Sequence, residues 1–91
     1  MAYLLGDSLF IKTFAFVEGA TYPDGGCNFE VFTNSDMIEI ESLSPLAALA
    51  PGESISHLES WFVFPIKDEV EINSEAALTK WLAPFLQQLT P

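Results

Sequence analysis

Basic residues are scarce in this chain. It has no arginine, and Lys12, Lys67 and Lys80 stand against 13 acidic residues, so the formal net charge is −10. Proteins that bind nucleic acid place several cations on phosphates, and anionic membrane surfaces attract clusters of lysine and arginine. We therefore expect neither nucleic acid nor a membrane as a partner.

Cysteine and histidine each occur once, as Cys27 and His57. One cysteine cannot form an intrachain disulfide or a CxxC metal site, and one histidine cannot build a multi-histidine zinc site. We expect no metal and no cofactor. Cys27 borders a predicted strand, which favours a small buried residue over a nucleophile.

Long apolar runs are also missing, because no stretch approaches the ~20 residues of a membrane span. The first 14 residues lack the cationic segment and the small-residue cleavage site of a signal peptide. These absences predict a cytoplasmic protein, and 91 residues predict a single domain. Hydrophobic residues make up 49% of so short a chain, with eight phenylalanines. We expect another chain to cover part of that apolar surface.

Aromatic and β-branched runs separated by turn residues predict strands. Leu9–Val17 is apolar on both faces, which is typical of a central strand. Asn28–Thr33 and Met37–Leu43 form a hairpin if Asn34 and Ser35 make a two-residue turn. Ser54–Phe64 reads as a long strand, which follows a β-turn at residues 50–53 that has proline in its second position.

The two-residue turn would place Val31 opposite Ile38 and Phe29 opposite Ile40. In that register the hairpin has one apolar face, consisting of Phe29, Val31, Ile38 and Ile40. The other face carries the carboxylates of Glu30, Glu39 and Glu41.

From Ser74 onward the apolar residues recur at spacings of three and four, which predicts an amphipathic helix over residues 75–89. Ser74 is its expected N-cap, and Pro84 predicts a kink or a restart. We expect this helix (residues 74–89 with its cap) to cover the apolar hairpin face. The predicted fold is mainly β: an antiparallel sheet or half β-sandwich of about four to six strands in residues 5–66, with the helix packed on it.

Two groups of side chains are candidate ligand-binding sites. Glu30, Glu39 and Glu41 form either a solvated outer face or a carboxylate face for sugar hydroxyls, a general base or a divalent cation. His57, Glu59 and Trp61 alternate along one predicted strand. An aromatic ring beside hydrogen-bonding side chains suits a sugar-binding platform, but the same pattern also occurs at ordinary sandwich edges.

Several segments resemble an uncharacterised bacterial domain family with the galactose-mutarotase-like supersandwich fold. The matching motifs are YPDGGCN, E-x-F-T-N, I-E-x-x-S-P-L and L-x-P-G-E-S-x-x-H-x-E-x-W, within residues 5–66. The resemblance is to the C-terminal strands of that sandwich. It implies that the strands of this segment pair with others from an N-terminal portion.

The resemblance also makes Glu30 a candidate catalytic residue, because mutarotases and hexose epimerases place a catalytic glutamate near this point. In those enzymes the glutamate often follows a cysteine by two positions, whereas Glu30 follows Cys27 by three. On a strand this offset would turn the side chain to the other face unless a bulge intervened. The histidines that act with the glutamate would lie upstream of this segment, so the catalytic set is incomplete.

The sequence thus predicts a non-enzymatic, mutarotase-like β-sandwich protein that forms a homodimer or binds another partner. The alternative is a carbohydrate-binding or carbohydrate-modifying protein, similar to hexose epimerases, that uses one of the two candidate faces.

Overall fold

The computed structural model describes residues 1–90, which contain five strands and one helix. In chain order these are β1 (Ala2–Leu5), β2 (Ser8–Phe14), β3 (Phe29–Thr33), β4 (Ile38–Ser42), β5 (Glu59–Pro65) and α1 (Glu75–Leu86). The strands form two antiparallel sheets, which confirms the predicted mainly β fold with a C-terminal helix. No helix in this part of the chain is long and apolar enough to cross a bilayer.

The chain divides into two compact units. The first unit comprises residues 1–12 and the chain from Ser60 onward, and the second comprises Thr13–Glu59. The first contains the three-stranded sheet, in the order β1-β2-β5, and the helix. The second contains the two-stranded hairpin of β3 and β4.

The first unit begins with a hairpin that the sequence did not reveal. Leu4 pairs with Leu9 and Leu5 with Ser8, so only Gly6 and Asp7 form the turn. Gly6 has a φ of 58°, and a positive φ at the first central position alone is the pattern of a type II′ turn. β1 has four residues and no alternation of apolar and polar side chains, which is why its pattern gave no strand signal.

β2 is the central strand of this sheet, as predicted, and it supplies the core. Leu9 and Ile11 are 1% and 2% exposed. The strand ends at Phe14 instead of Val17 because the next backbone groups bond to side chains. The Ala15 carbonyl accepts from Asn28 Nδ2 at 3.4 Å, and the Val17 N–H donates to the Tyr22 hydroxyl at 2.9 Å.

The helix begins as predicted, with Ser74 as its N-cap. Ser74 Oγ accepts a hydrogen bond from the Ala77 N–H at 3.2 Å. The helix ends at Leu86 rather than Leu89 because three-residue turns replace the α-helical ladder there, for example from the Leu89 N–H to the Leu86 carbonyl. It does not restart at Pro84, which lies inside the continuous helix.

The predicted site of helix packing is wrong. The Phe85 ring contacts Phe64 of β5, with ring centroids 5.2 Å apart, so α1 packs on the three-stranded sheet. The apolar face of Phe29, Val31, Ile38 and Ile40 belongs to the hairpin of the second unit. Only nine residues separate β5 from α1, and short connections place successive elements side by side.

The second unit contains the predicted hairpin, but its register differs from the prediction. Val31 pairs with Ile40, and Glu30 pairs with Glu41. The turn has four residues, because Asn34 Oδ1 accepts from the N–H groups of Asp36 and Met37 at 2.8 and 3.0 Å. The predicted pairs are thus shifted by two residues. An even shift keeps each side chain on its face, so the apolar and acidic faces are as predicted.

The last strand is shorter than the predicted Ser54–Phe64, since β5 begins only at Glu59. The turn before it is confirmed: the Glu53 N–H donates to the Ala50 carbonyl at 3.0 Å. Gly52 has a φ of 89°, and proline followed by a residue of positive φ is the signature of a type II turn.

Candidate functional site

The three predicted acidic residues share one face of the β3–β4 hairpin. Glu30 and Glu41 lie directly opposite each other, and Glu39 lies opposite Phe32 on the same face. Like charges in directly opposed positions destabilise a hairpin. The Glu30–Glu41 pair therefore lowers the stability of the hairpin when both side chains are ionised.

The Asp24 carboxylate reaches Glu30 from the turn before β3. The turn contains three consecutive residues with positive φ, Asp24 at 54°, Gly25 at 80° and Gly26 at 107°. The N–H groups of Gly26 and Cys27 close it by donating to the Pro23 carbonyl at 3.1 and 3.0 Å. The acidic cluster of the second unit is thus Asp24, Glu30 and Glu41.

The surroundings of Glu30 raise its pKa above the ordinary value of 4.5. The largest cause is a hydrogen bond with Asp24, followed by desolvation and by the charges of Asp24 and Glu41. Glu30 as a whole has solvent contact, but its Oε1 atom is shielded and has no donor within reach among the described residues. Two carboxylates can hydrogen bond only when one of them holds a proton. The raised pKa means that Glu30 holds its proton to a higher pH than an isolated glutamate does.

The acidic cluster does not form a metal site in the part of the chain that the structure describes. Within residues 1–90, no group of three or more His, Cys, Asp or Glu side chains has an arrangement suited to a metal ion.

A separate polar cluster in the same unit joins two of the predicted site residues through a serine. Ser42 Oγ lies 2.9 Å from His57 Nε2 and donates to Glu59 Oε2 at 2.5 Å. A hydroxyl has one proton to donate. Because Glu59 takes that proton, His57 must present its Nε2–H to the serine oxygen.

This arrangement is not that of an activated serine nucleophile, which gives its proton to the histidine while the carboxylate holds the other ring nitrogen. Ser42, His57 and Glu59 instead form a hydrogen-bonded group with an exposed histidine at its edge. Ser42 was not among the predicted site residues. The only available signal was its position at the end of β4, opposite Phe29.

Trp61, the third member of the predicted His57–Glu59–Trp61 group, belongs to the first unit. There its ring packs edge-on against Phe10, with centroids 5.7 Å apart and planes at 86°. Trp61 is nevertheless 66% exposed. The three residues are therefore not gathered within one unit.

The sheet of the first unit has one covered and one open face. Phe64 contacts the helix, so Trp61 and Val63, at odd positions of the same strand, point to the other side. There they join Phe10, its strand partner Tyr3, and Leu5. We call these five residues the open apolar face. Leu5, Trp61 and Val63 are 66%, 66% and 68% exposed.

Comparison of the chain with protein families, with curated proteins and with solved structures finds no match.

Proposed function

We propose that this chain acts through self-association, as a homodimer joined by the open apolar face, and that it is not an enzyme. The observation that carries the proposal is the exposure of Leu5, Trp61 and Val63 on one sheet face. Contiguous exposed apolar side chains on a small protein mark interaction surfaces. Aromatic side chains such as Trp61 and Phe10 are the residue types that dominate interface energetics.

The charge distribution favours a second copy as the occupant of this face. The chain as a whole carries a net charge of −10, but none of the five side chains of the open apolar face is charged. Two copies can therefore meet at these five side chains without placing like charges in direct contact. Their overall repulsion acts at longer range, where salt screens it.

The position of β5 supports the same partner. β5 is at the edge of its sheet, next to β2 only, and it carries both Trp61 and Val63. An edge strand offers backbone groups to a further strand. Antiparallel pairing of β5 with its copy about a twofold axis would extend the sheet and place the two open apolar faces side by side. Trp61 and Val63 of one copy would then be cross-strand neighbours of the same residues in the other.

Light scattering between micromolar and submillimolar concentration tests the proposal. We expect twice the chain mass of 10.0 kDa, with a larger dimer fraction at higher salt. Val63→Lys should give a monomer. Leu58→Lys is the matched control, because Leu58 is 82% exposed but lies in the second unit. A wild-type monomer at every concentration, or loss of the dimer in the control alone, would contradict the proposal.

We propose the absence of mutarotase activity because Glu30 faces two other carboxylates and its hydrogen-bonding partner is an acid. Epimerisation needs an acid and a base on opposed sides of the sugar. Polarimetry with glucose and galactose should show no acceleration over buffer. Acceleration that disappears in Glu30→Gln would establish the enzymatic alternative implied by the resemblance. A cytoplasmic location is part of the same proposal.

The Ser42–His57–Glu59 cluster favours carbohydrate binding as a second candidate function. It places a hydroxyl, an imidazole and a carboxylate within hydrogen-bonding distance of one another, and such groups suit sugar hydroxyls. A glycan array followed by NMR titration tests this candidate. Binding that is lost in His57→Ala and retained in Trp61→Ala would support it, whereas an array without hits would exclude it.

A further inference from the structure

The first unit contains an apolar cavity on the helix side of its sheet. The cavity measures about 290 Å³. Its walls are apolar side chains of β1, β2 and α1: Ala2, Leu4, Leu9, Leu78, Trp81 and Leu82. It lies on the opposite side of the sheet from the open apolar face, so inferences about it do not depend on self-association.

The helix has an aromatic contact with the sheet near its C-terminus, and the cavity lies toward its N-terminus. Phe85, near the helix C-terminus, contacts both Phe64 and Trp81. Toward the N-terminus the helix faces the short side chain of Ala2, and no helix residue is fully buried. The apolar wall atoms therefore lack packing partners, which costs dispersion energy.

The cavity is large enough for a small molecule. An apolar cavity of about 150 Å³ in another protein stays dry and binds benzene, and ligand pockets begin near 300 Å³. A volume of 290 Å³ therefore accommodates one aromatic ring with a short arm.

Among the described residues, one charged side chain lines the cavity, and it is acidic. Glu75 and Thr79 supply its polar lining in the first turns of the helix. The Thr79 hydroxyl donates to the Glu75 carbonyl at 2.9 Å, so its proton is already used within the helix. The Glu75 carboxylate is therefore the group that can distinguish ligands by their charge. Glu75 also stabilises the helix N-terminus. If Glu75 had only that role, the cavity would bind cationic, neutral and anionic ligands of the same shape equally well.

We propose that this cavity binds a small aromatic amine, with its ring among the leucines and its ammonium group at Glu75. Trp81 adds an aromatic wall against which the ring of the ligand can pack. The net charge of −10 raises the local concentration of cations and lowers that of anions.

Three probes of similar shape and different charge test the proposal: phenethylamine, phenethyl alcohol and hydrocinnamate. Binding is measured by NMR shifts of β1 and α1 amides and by the rise in Tm with probe concentration. We expect the amine to bind about three- to tenfold more tightly than the alcohol, as suits one partly exposed ion pair. Hydrocinnamate should bind most weakly.

Two variants and one control locate the site. Glu75→Gln should remove the preference for the amine and leave the affinity for the alcohol unchanged. Ala2→Leu should fill the cavity and abolish the binding of both the amine and the alcohol. Ala76→Leu introduces the same side chain at an exposed helix position outside the cavity. This variant should change the affinity for neither the amine nor the alcohol. Equal affinity for the amine and hydrocinnamate would overturn the ligand class. The absence of any binding at millimolar concentration would overturn the site.

Discussion

The raised pKa of Glu30 gives this fold a pH-dependent stability. The folded protein raises the pKa of Glu30 above 4.5, mainly through the hydrogen bond to Asp24, so the folded state binds this proton more tightly than the unfolded state. The stabilisation is complete below pH 4.5 and disappears as the pH rises through the folded pKa. Above that point the ionised pair of Glu30 and Glu41 opposes the hairpin.

We therefore predict that Glu30→Gln flattens the pH dependence of Tm. The amide retains a donor for Asp24 and carries no charge, so the variant should gain stability over wild type at pH 7 and lose that advantage near pH 4. Glu39→Gln is the matched control, because Glu39 lies opposite Phe32 and not opposite a carboxylate. Parallel Tm curves for wild type and Glu30→Gln would show that Glu30 is not coupled to Asp24.

At the residue scale, the sequence predicted which carboxylates share a face but not which of them interact. Alternation along a strand is enough to place Glu30, Glu39 and Glu41 together. The contribution of Asp24 depends on a turn with three consecutive positive φ values, which the letters PDGG suggest but do not determine. The contact of Ser42 with His57 and Glu59 depends on the path of the chain between residues 43 and 56. That segment has no helix or strand, so hydrophobic periodicity could not predict its path.

At the scale of elements, the sequence predicted the helix cap and the hairpin correctly, but it did not predict the hairpin register or the end of β2. The cap at Ser74 and the hairpin around Asn34 were both identifiable because their side chains bond to nearby backbone. The hairpin register was not, since Asn34 supports a four-residue turn as well as a two-residue one. The end of β2 depends on Asn28 and Tyr22, which lie 13 and 5 residues beyond the backbone groups that they bond, outside the strand pattern itself.

The packing of the helix predicts a moderate loss of stability on removing Trp81. The ring centroids of Trp81 and Phe85 lie 5.1 Å apart, but Trp81 is only half-buried. We expect Trp81→Ala to cost about 2–3 kcal/mol, below the ~3–5 kcal/mol of a fully buried tryptophan. Thermal unfolding should show a fall in Tm on the order of 10 °C. Lys80→Ala, at the neighbouring exposed position, should change Tm little. An unchanged Tm in Trp81→Ala would mean that the helix does not contribute to the core.

At the scale of the whole molecule, the amount of exposed apolar surface is what the composition led us to expect. Among the described residues, only Leu9, Ile11, Tyr22 and Lys12 are buried. Composition predicted surplus apolar surface, but it could not locate that surface. The location follows from two features that periodicity did not supply: the hairpin of β1 and β2, and the position of the helix on one side of their sheet.

The fluorescence of Trp61 tests most directly whether the open apolar face is the dimer interface. Trp61 and Trp81 are the only tryptophans, so Trp81→Phe leaves Trp61 as the sole indole. Acrylamide is the suitable quencher because it is neutral and the chain's charge does not repel it. We predict that Trp61 is shielded and blue-shifted at high protein concentration, and becomes quenchable on dilution with the midpoint that light scattering gives for dissociation. Emission that stays red-shifted and equally quenchable at every concentration would contradict the account.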